Sequence, residues 1–312
     1  MIRDRISLRA RLIRAAYRAF IKRSQRHLTI DDIRRSFRRT EALVPPPPRG
    51  THTEFVDAGG VRAHLVSTPR SSPERHVLYL HGGAYTVGSP RLYRHFTWRI
   101  ADAARARVLV IAYRRAPEHP YPAALDDAVA AWQWLLARRA DPQHAFIMGD
   151  SAGGGLTLAT MLKLRDSGLP LPAAAVAISP WTDLALTGDS YRSRLEQSID
   201  PPGMSTVCSK YYAGGQDACL PWMSPLYGDL HGLPPLLLCV GTYETMLDDS
   251  TRFAGKAQAA GVEVTLRVWP GMIHCFPLLA PLFPEATQAL AEICAFVRCR
   301  LGLAALQAVS RA

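Results

Sequence analysis

Long apolar runs are missing from this sequence. No uninterrupted stretch among its 312 residues approaches the roughly 20 that a membrane-spanning helix needs. The N-terminus also lacks an apolar core followed by a small-residue cleavage site and is studded with arginine instead, so a cytoplasmic location is expected rather than secretion. Cysteine is scarce, and Cys208, Cys219, Cys239, Cys275, Cys294 and Cys299 form neither a CxxC pair nor a zinc-like Cys/His spacing. That excludes a redox motif and points to no metal; free thiols used as small buried residues are the expectation. Aromatic residues make up 8% of the chain and no nucleic-acid-binding module is recognisable, so nucleic acid is not an expected partner. Acid is the scarcer sign of charge, with 26 Asp and Glu against 37 Lys and Arg, for a formal net charge of +11.

That excess is concentrated. Residues 1–40 hold 13 Lys and Arg against Asp4, Asp31 and Asp32, while the rest of the chain is nearly neutral. Within the basic segment Ile2, Ile6, Ile13, Tyr17 and Phe20 recur near helical spacing between arginines, which predicts an amphipathic basic helix. A second helix is predicted from Thr29, where "TIDD" places an acid three residues after a capping residue and Ile30, Ile33 and Phe37 repeat at helical intervals. Pro45 to Pro48 then stop any helix and act as a stiff spacer. The predicted division is a helical segment over 1–50 and a main domain over 51–312. The basic segment has two readings: helices that cap a pocket, with solvated arginines, or attachment to an anionic membrane surface.

Beyond the prolines, "TEFVDAGGVRAHLVS" reads as a hairpin around Gly59 and Gly60. From residue 76 short continuous apolar runs follow one another: "HVLYL", "RVLVIAY", "HAFIMG", "AAAVAIS", "PLLLCVG" and "VTLRVW". Continuous runs suit strands buried on both faces, and their alternation with helical stretches such as "AALDDAVAAWQWLLARR" predicts an α/β fold, a mostly parallel sheet covered by helices. The segment from Trp181 to Pro225 breaks the rhythm and reads as an insertion, about residues 185–225, over the carboxyl edge of the sheet, where open α/β sheets hold their sites.

The chemistry centres on "IMGDSAGGGL". An apolar run ends at Gly149, a turn holds Asp150 and Ser151, and a helical pattern starts at once. A serine in a strand, sharp turn, helix context with glycines two residues to either side is a candidate nucleophile, its hydroxyl exposed near the positive end of a helix and the Ala152 N–H pointing into the same space. Asp150 is counted as a supporting residue. In "YLHGGAYTVGS" Gly82 and Gly83 stand where a strand hands over to a loop, a place from which backbone N–H groups can stabilise a developing oxyanion. His81 is read as holding that loop or as an ordinary structural histidine, not as a base. His274, after the last apolar run and a Pro/Gly turn, is the candidate base. The acid should follow the preceding strand, where Glu244, Asp248 and Asp249 compete; Glu244, three residues past Gly241, is preferred and Asp248 kept in reserve. The order Ser151, Glu244, His274 is that of nucleophile, acid and base in α/β-hydrolases.

At these residues the chain resembles the hormone-sensitive-lipase-like esterases, bacterial family IV, over about residues 50–300. "HGGAY" resembles that family's HGGG oxyanion motif, "YRRAPEHPYPAALDD" its YRLAPE stretch, "GDSAGGG" its nucleophile elbow, "ETMLDD" its DxLxD acid motif and "WPGMIHCF" its histidine motif. Two departures stand out: Ala84 replaces the third motif glycine, narrowing the space for bulky alcohols, and Glu244 stands where many members have Asp. The resemblance implies an α/β-hydrolase fold with a helical cap and a carboxylesterase acting on short to medium acyl esters by two-step acyl transfer, with no metal or cofactor. The expected partner is a small-molecule ester; a homodimer is a further reading. Amide hydrolysis or acyl transfer by the same triad is the alternative within enzymes. A non-catalytic binding protein is the alternative outside them, since the related gibberellin receptors lack the catalytic histidine that this chain keeps.

Overall fold

In the computed structural model, residues 6–23 and 29–302 are described. Two helices open the chain, α1 (Leu8–Arg23) and α2 (Ile30–Leu43). Ile2 of the predicted apolar stripe and the side chain of Phe20 lie outside the described residues. Helix α2 starts as its sequence dictates: the Thr29 hydroxyl accepts from Asp32 N, and the Asp32 carboxylate reaches back to Thr29 N, a complete capping box. Then follow β1 (His52–Asp57), β2 (Arg62–Ser67), β3 (His76–Leu80), α3 (Arg94–Ala104), β4 (Arg107–Ile111), α4 (Ala123–Ala137), β5 (Ala145–Asp150), α5 (Ala152–Asp166) and β6 (Ala174–Ile178). After the insertion with α6 (Ser190–Ser193) and α7 (Met204–Ala213) come β7 (Leu236–Gly241), α8 (Leu247–Ala259), β8 (Val264–Trp269) and α9 (Pro284–Arg300).

The strands form one sheet in the order β1-β2-β4-β3-β5-β6-β7-β8. The hairpin strand β2 is antiparallel to both β1 and β4, and β3 to β8 run parallel. Successive residues of the continuous apolar runs enter opposite core layers. Leu78, Leu80 and Ile147 meet Leu125, Trp132, Leu156 and Phe253 on one face, while Val77, Tyr79, Phe146 and Met148 meet Phe96, Ile100 and Val297 on the other. Only the run of β8 departs from this. It forms the sheet's edge and, apart from Trp269, its residues are only partly covered or exposed, because a strand with one neighbour lacks packing on its free side.

The topology also decides where a site can form. From β3 the chain moves to β4 on one side and later to β5 on the other, so the strand order reverses between β3 and β5. At such a switch point the loops leaving two adjacent strands diverge and open a crevice at their carboxyl ends. Here those loops are the glycine-rich segment after Leu80 and the turn at Ser151. The N-terminal helices lie over the same edge: Ser7 donates to Glu285 through N (2.6 Å) and Oγ (2.8 Å), and Arg14 stacks over Tyr243 at 4.6 Å. From α2, Arg34 donates to Thr86 O (3.1 Å), Ala116 O (2.9 Å) and, in a fork, to both oxygens of Glu118.

Candidate active site

Ser151 sits at φ 54°, ψ −124°, a conformation a non-glycine residue adopts only when held there. Its N–H donates to Ile178 O (2.8 Å), and its carbonyl accepts from Gly155 N and Trp181 N, both at 3.0 Å. The flanking glycines are required by space: a Cβ on Gly149 would lie 2.2 Å from Gly153 O, and one on Gly153 would lie 2.0 Å from Leu80 O. The turn is thus pressed against the end of β3, with the serine hydroxyl at the start of α5, where Ala152 N–H has no intrahelical acceptor.

A line of hydrogen bonds leads away from that hydroxyl. His274 Nε2 lies 2.9 Å from Ser151 Oγ, and His274 Nδ1 lies 2.8 Å from Glu244 Oε2. The Glu244 side chain is fully buried and that of His274 is 13% exposed. Glu244 Oε1 accepts from the Gly241 N–H and from Ser179 Oγ at 3.0 Å, so both carboxylate oxygens are occupied. Ser179 Oγ accepts in turn from Cys275 N (3.1 Å), joining the acid's loop to the histidine's. Burial works against a protonated His274, but its neighbours Cys275, Asp200 and Glu244 together work for it, and the net effect raises its affinity for a proton above that of an ordinary imidazole. Asp200 comes from the insertion and is anchored beside the acid by Thr245 Oγ1 (2.7 Å) and Ser198 Oγ (2.6 Å). The thiol of Cys275 is pushed up to about 12 by burial and carries no charge at neutral pH.

The other two candidate acids point elsewhere. Asp248 Oδ2 accepts from Ser190 N (2.9 Å) and ties down α6. Asp249 is buried, its Oδ2 accepting from Thr182 N (2.7 Å) and Asp183 N (2.9 Å). Among the described residues, Glu244 is the carboxylate bonded to His274.

The loop after β3 is fixed peptide by peptide. In a trans peptide the C=O and the following N–H point in opposite directions, so holding one aims the other. His81 O accepts from Tyr113 OH (2.7 Å), and the Gly82 N–H of the same peptide consequently points at Asp150 Oδ1 (3.0 Å) and Tyr93 OH (2.9 Å). This corrects one expectation. Gly82 N–H is consumed inside the protein and is not an oxyanion donor. Gly82 O is bonded to His81 Nδ1 (2.8 Å), which aims Gly83 N–H the other way. Burial pushes the His81 imidazole down to about 4, so the ring is neutral and serves as that donor. Gly83 O accepts from Thr86 N and Val87 N, both at 2.9 Å, which aims Ala84 N–H. Gly83 has φ +120° and a Cβ there would lie 2.3 Å from Val87 O, so only glycine fits. Among the described residues neither Gly83 N nor Ala84 N has an acceptor, leaving them with Ala152 N as free donors near Ser151.

Asp150, next to the serine, holds this arrangement from below. It is buried and accepts from Tyr79 OH (2.8 Å), Tyr93 OH (2.7 Å) and Gly82 N. Burial raises its pKa and these bonds oppose the rise. Sequence reasoning did not single out Ser179, Tyr79, Tyr93, Tyr113, Asp200 or the Ala84 N–H. The side chains among them act mainly through partners in other parts of the chain, so no local spacing marks them.

Comparison with known proteins identifies the family. Residues 77–278 match the family described as alpha/beta hydrolase fold. The chain is 45% identical over 251 residues to an acetyl-hydrolase of Streptomyces hygroscopicus, covering 80% of this chain and 83% of that protein. It is 36% identical over 243 residues to an esterase of Acinetobacter venetianus, covering 77% and 80%. The crystal structure of an esterase from the bacterial hormone-sensitive lipase family superposes with a TM-score of 0.90 at 40% identity, covering 96% of this chain and all of that one. The chain belongs to the α/β-hydrolase fold family, in its hormone-sensitive-lipase-like branch (bacterial family IV), and is a carboxylic ester hydrolase.

Proposed function

We propose that Ser151, His274 and Glu244 act as nucleophile, base and acid in the hydrolysis of short to medium acyl esters. The observation that carries this is the unbroken line from Ser151 Oγ through His274 to Glu244. As Oγ forms its bond to the ester carbonyl carbon, the hydroxyl proton passes to His274 Nε2 and the π electrons move onto the carbonyl oxygen. Glu244 keeps the other ring proton on Nδ1 and steadies the imidazolium. The N–H groups of Gly83, Ala84 and Ala152 receive the oxyanion; each such donor is worth about 10²–10³ in rate. The tetrahedral species collapses by expelling the alcohol, which takes the proton from His274. Water, activated by the same histidine, then releases the acid from the acyl-enzyme. The acetyl-hydrolase among the relatives supports the short end of the acyl range.

Residues 1–50 and the insertion of about 185–225 act in this reading as the cap of a catalytic domain over 51–312. Support comes from Ile6, whose side chain covers Gly271, from Arg34 on the oxyanion loop and from Asp200 beside Thr245. A cytoplasmic location and a homodimer complete the proposal, to be checked by cell fractionation and light scattering. Ser151→Ala is expected to abolish hydrolysis of a chromogenic acetyl ester and covalent titration by an organophosphonate. Retention of most of the activity would reject the assignment.

A further inference from the structure

Helix α1 carries two apolar stripes, and the fold uses only one. On the inner side Ala10 is buried and Ile6 and Ile13 pack against the core layer that contains Phe276 and Ile293. At 100° per residue, Leu8, Leu12, Ala15, Ala16 and Ala19 fall on the opposite side. All five are exposed, Leu8 by 67% and Leu12 by 60%, so this stripe does not serve the core. Arg9 flanks it on one edge and Arg11 and Arg18 on the other, and no acidic residue occurs in the helix. Among the described residues these three arginines make no ion pair.

We propose that this outward stripe docks on an anionic phospholipid surface, with the leucines entering the headgroup boundary and the arginines binding lipid phosphates. An apolar strip edged by cations on a helix lying parallel to the surface is the arrangement that such an interface stabilises. No described helix is long and apolar enough to cross a membrane, so the contact is peripheral. Charge selects this occupant over a second copy of the chain. The formal net charge is +11, with the excess in residues 1–40, and a two-fold contact through α1 would set arginine against arginine. Docking would bring the rim of the active site to the lipid, because Arg14 stacks on Tyr243, the neighbour of Glu244, and Ile6 covers Gly271 in the loop leading to His274. Docking itself is independent of the triad; only the delivery of ester from the lipid phase rests on the proposed hydrolysis.

The test is co-sedimentation of the full chain with vesicles of phosphatidylcholine alone and of phosphatidylcholine with phosphatidylglycerol, at low and high salt. Binding is expected to the anionic vesicles only and to weaken with salt. Leu8→Ser/Leu12→Ser should weaken it at least about tenfold, and Arg9→Gln/Arg11→Gln/Arg18→Gln about a hundredfold at low salt. Both variants should melt as the wild type does and hydrolyse a soluble chromogenic ester at the wild-type rate. Equal binding to neutral vesicles, or equal binding of wild type and leucine variant, overturns the proposal. So does a wild-type dimer that the leucine variant loses without any vesicle affinity, which would assign the face to a second copy. Ester hydrolysis by Ser151→Ala would reject the triad and leave the vesicle result standing.

Discussion

Replacing Glu244 by glutamine exchanges one carboxylate oxygen for an NH2 group and should remove most of the activity, for a reason set by the acid's neighbours. Glu244 Oε1 receives two donors, the Gly241 N–H, which can only donate, and the Ser179 hydroxyl, which also accepts from Cys275 N. In Glu244→Gln only the carboxamide oxygen can face these donors, so the NH2 must take the place of Oε2 and point at His274 Nδ1, now 2.8 Å away. Nδ1 then has to accept, and the ring proton moves to Nε2. The nitrogen facing Ser151 Oγ thereby loses the lone pair that should take the serine proton. The substitution keeps the partners of Oε1 and of Nδ1 yet fixes the wrong tautomer.

Acid-to-amide changes of this kind in serine protease triads cost about 10⁴ in kcat. About 10³–10⁴ is expected here, or about 4–5.5 kcal/mol of transition-state stabilisation. The loss should fall on kcat, with KM for a chromogenic acetyl ester within about threefold of wild type, because nothing that touches bound ester has moved. A rapid-mix experiment should show acylation itself slowed by the same factor. Asp248→Asn is the control: its carboxylate is engaged with Ser190 N and should leave kcat within about twofold. If Glu244→Gln kept more than a tenth of kcat, or Asp248→Asn were the crippled variant, the acid would be misassigned and the tautomer argument with it.

Three further outcomes follow from the same geometry. Tyr93→Phe removes a donor to Asp150 and an acceptor for Gly82 N, so it should lower stability by about 1–3 kcal/mol and kcat by at least about tenfold; a lowered melting temperature with unchanged kcat would show that the oxyanion loop does not depend on this bond. The rate requires a neutral His274, whose pKa is raised, so kcat/KM should fall with acid around a pKa above the ordinary histidine value. Removing a negative charge in Asp200→Asn weakens the imidazolium and should move that limb to lower pH, whereas an unmoved limb would exclude Asp200 from tuning the base. Finally, burial pushes the Asp249 carboxyl up to about 8, so between its unfolded value near 4 and about 8 the folded state binds the proton that the unfolded state has lost, and stability falls as pH rises through this window. Asp249→Asn should flatten that slope, checked by melting temperatures of both proteins across pH; a difference between them that is constant with pH would contradict the shift.

The parts legible in the sequence are those in which chain-local sterics or local bonds dictate conformation. The elbow was readable because Gly149 and Gly153 stand wherever a Cβ would strike backbone, and α2 because Thr29 and Asp32 cap it within one turn. Strand β8 misled because a continuous apolar run says nothing about how many neighbours a strand will have. Gly82 misled for a related reason. Both loop glycines admit close approach, but which N–H turns to the substrate is decided by Tyr113 and Asp150, residues 32 and 68 positions from their partners in the loop. Helix α1 offered its second stripe openly, in Leu8 and Leu12, yet periodicity alone does not tell which of two apolar faces meets the core.

Ser179 shows what long-range bonds add. It sits in a left-handed conformation, φ 45°, at the end of β6, held by its N–H to Cys239 O (2.7 Å), and its hydroxyl touches both the acid's carboxylate and the histidine's loop. The nucleophile's own turn is locked to the same strand end through Ser151 N and Ile178 O. The three triad members therefore reach the crevice from loops that share anchor points around residues 178–181, and a shift of that segment displaces the nucleophile, acid and base together. A site built this way keeps its internal distances when the surrounding cap moves, so cap movements should change substrate access, seen in KM, before they change the chemical step.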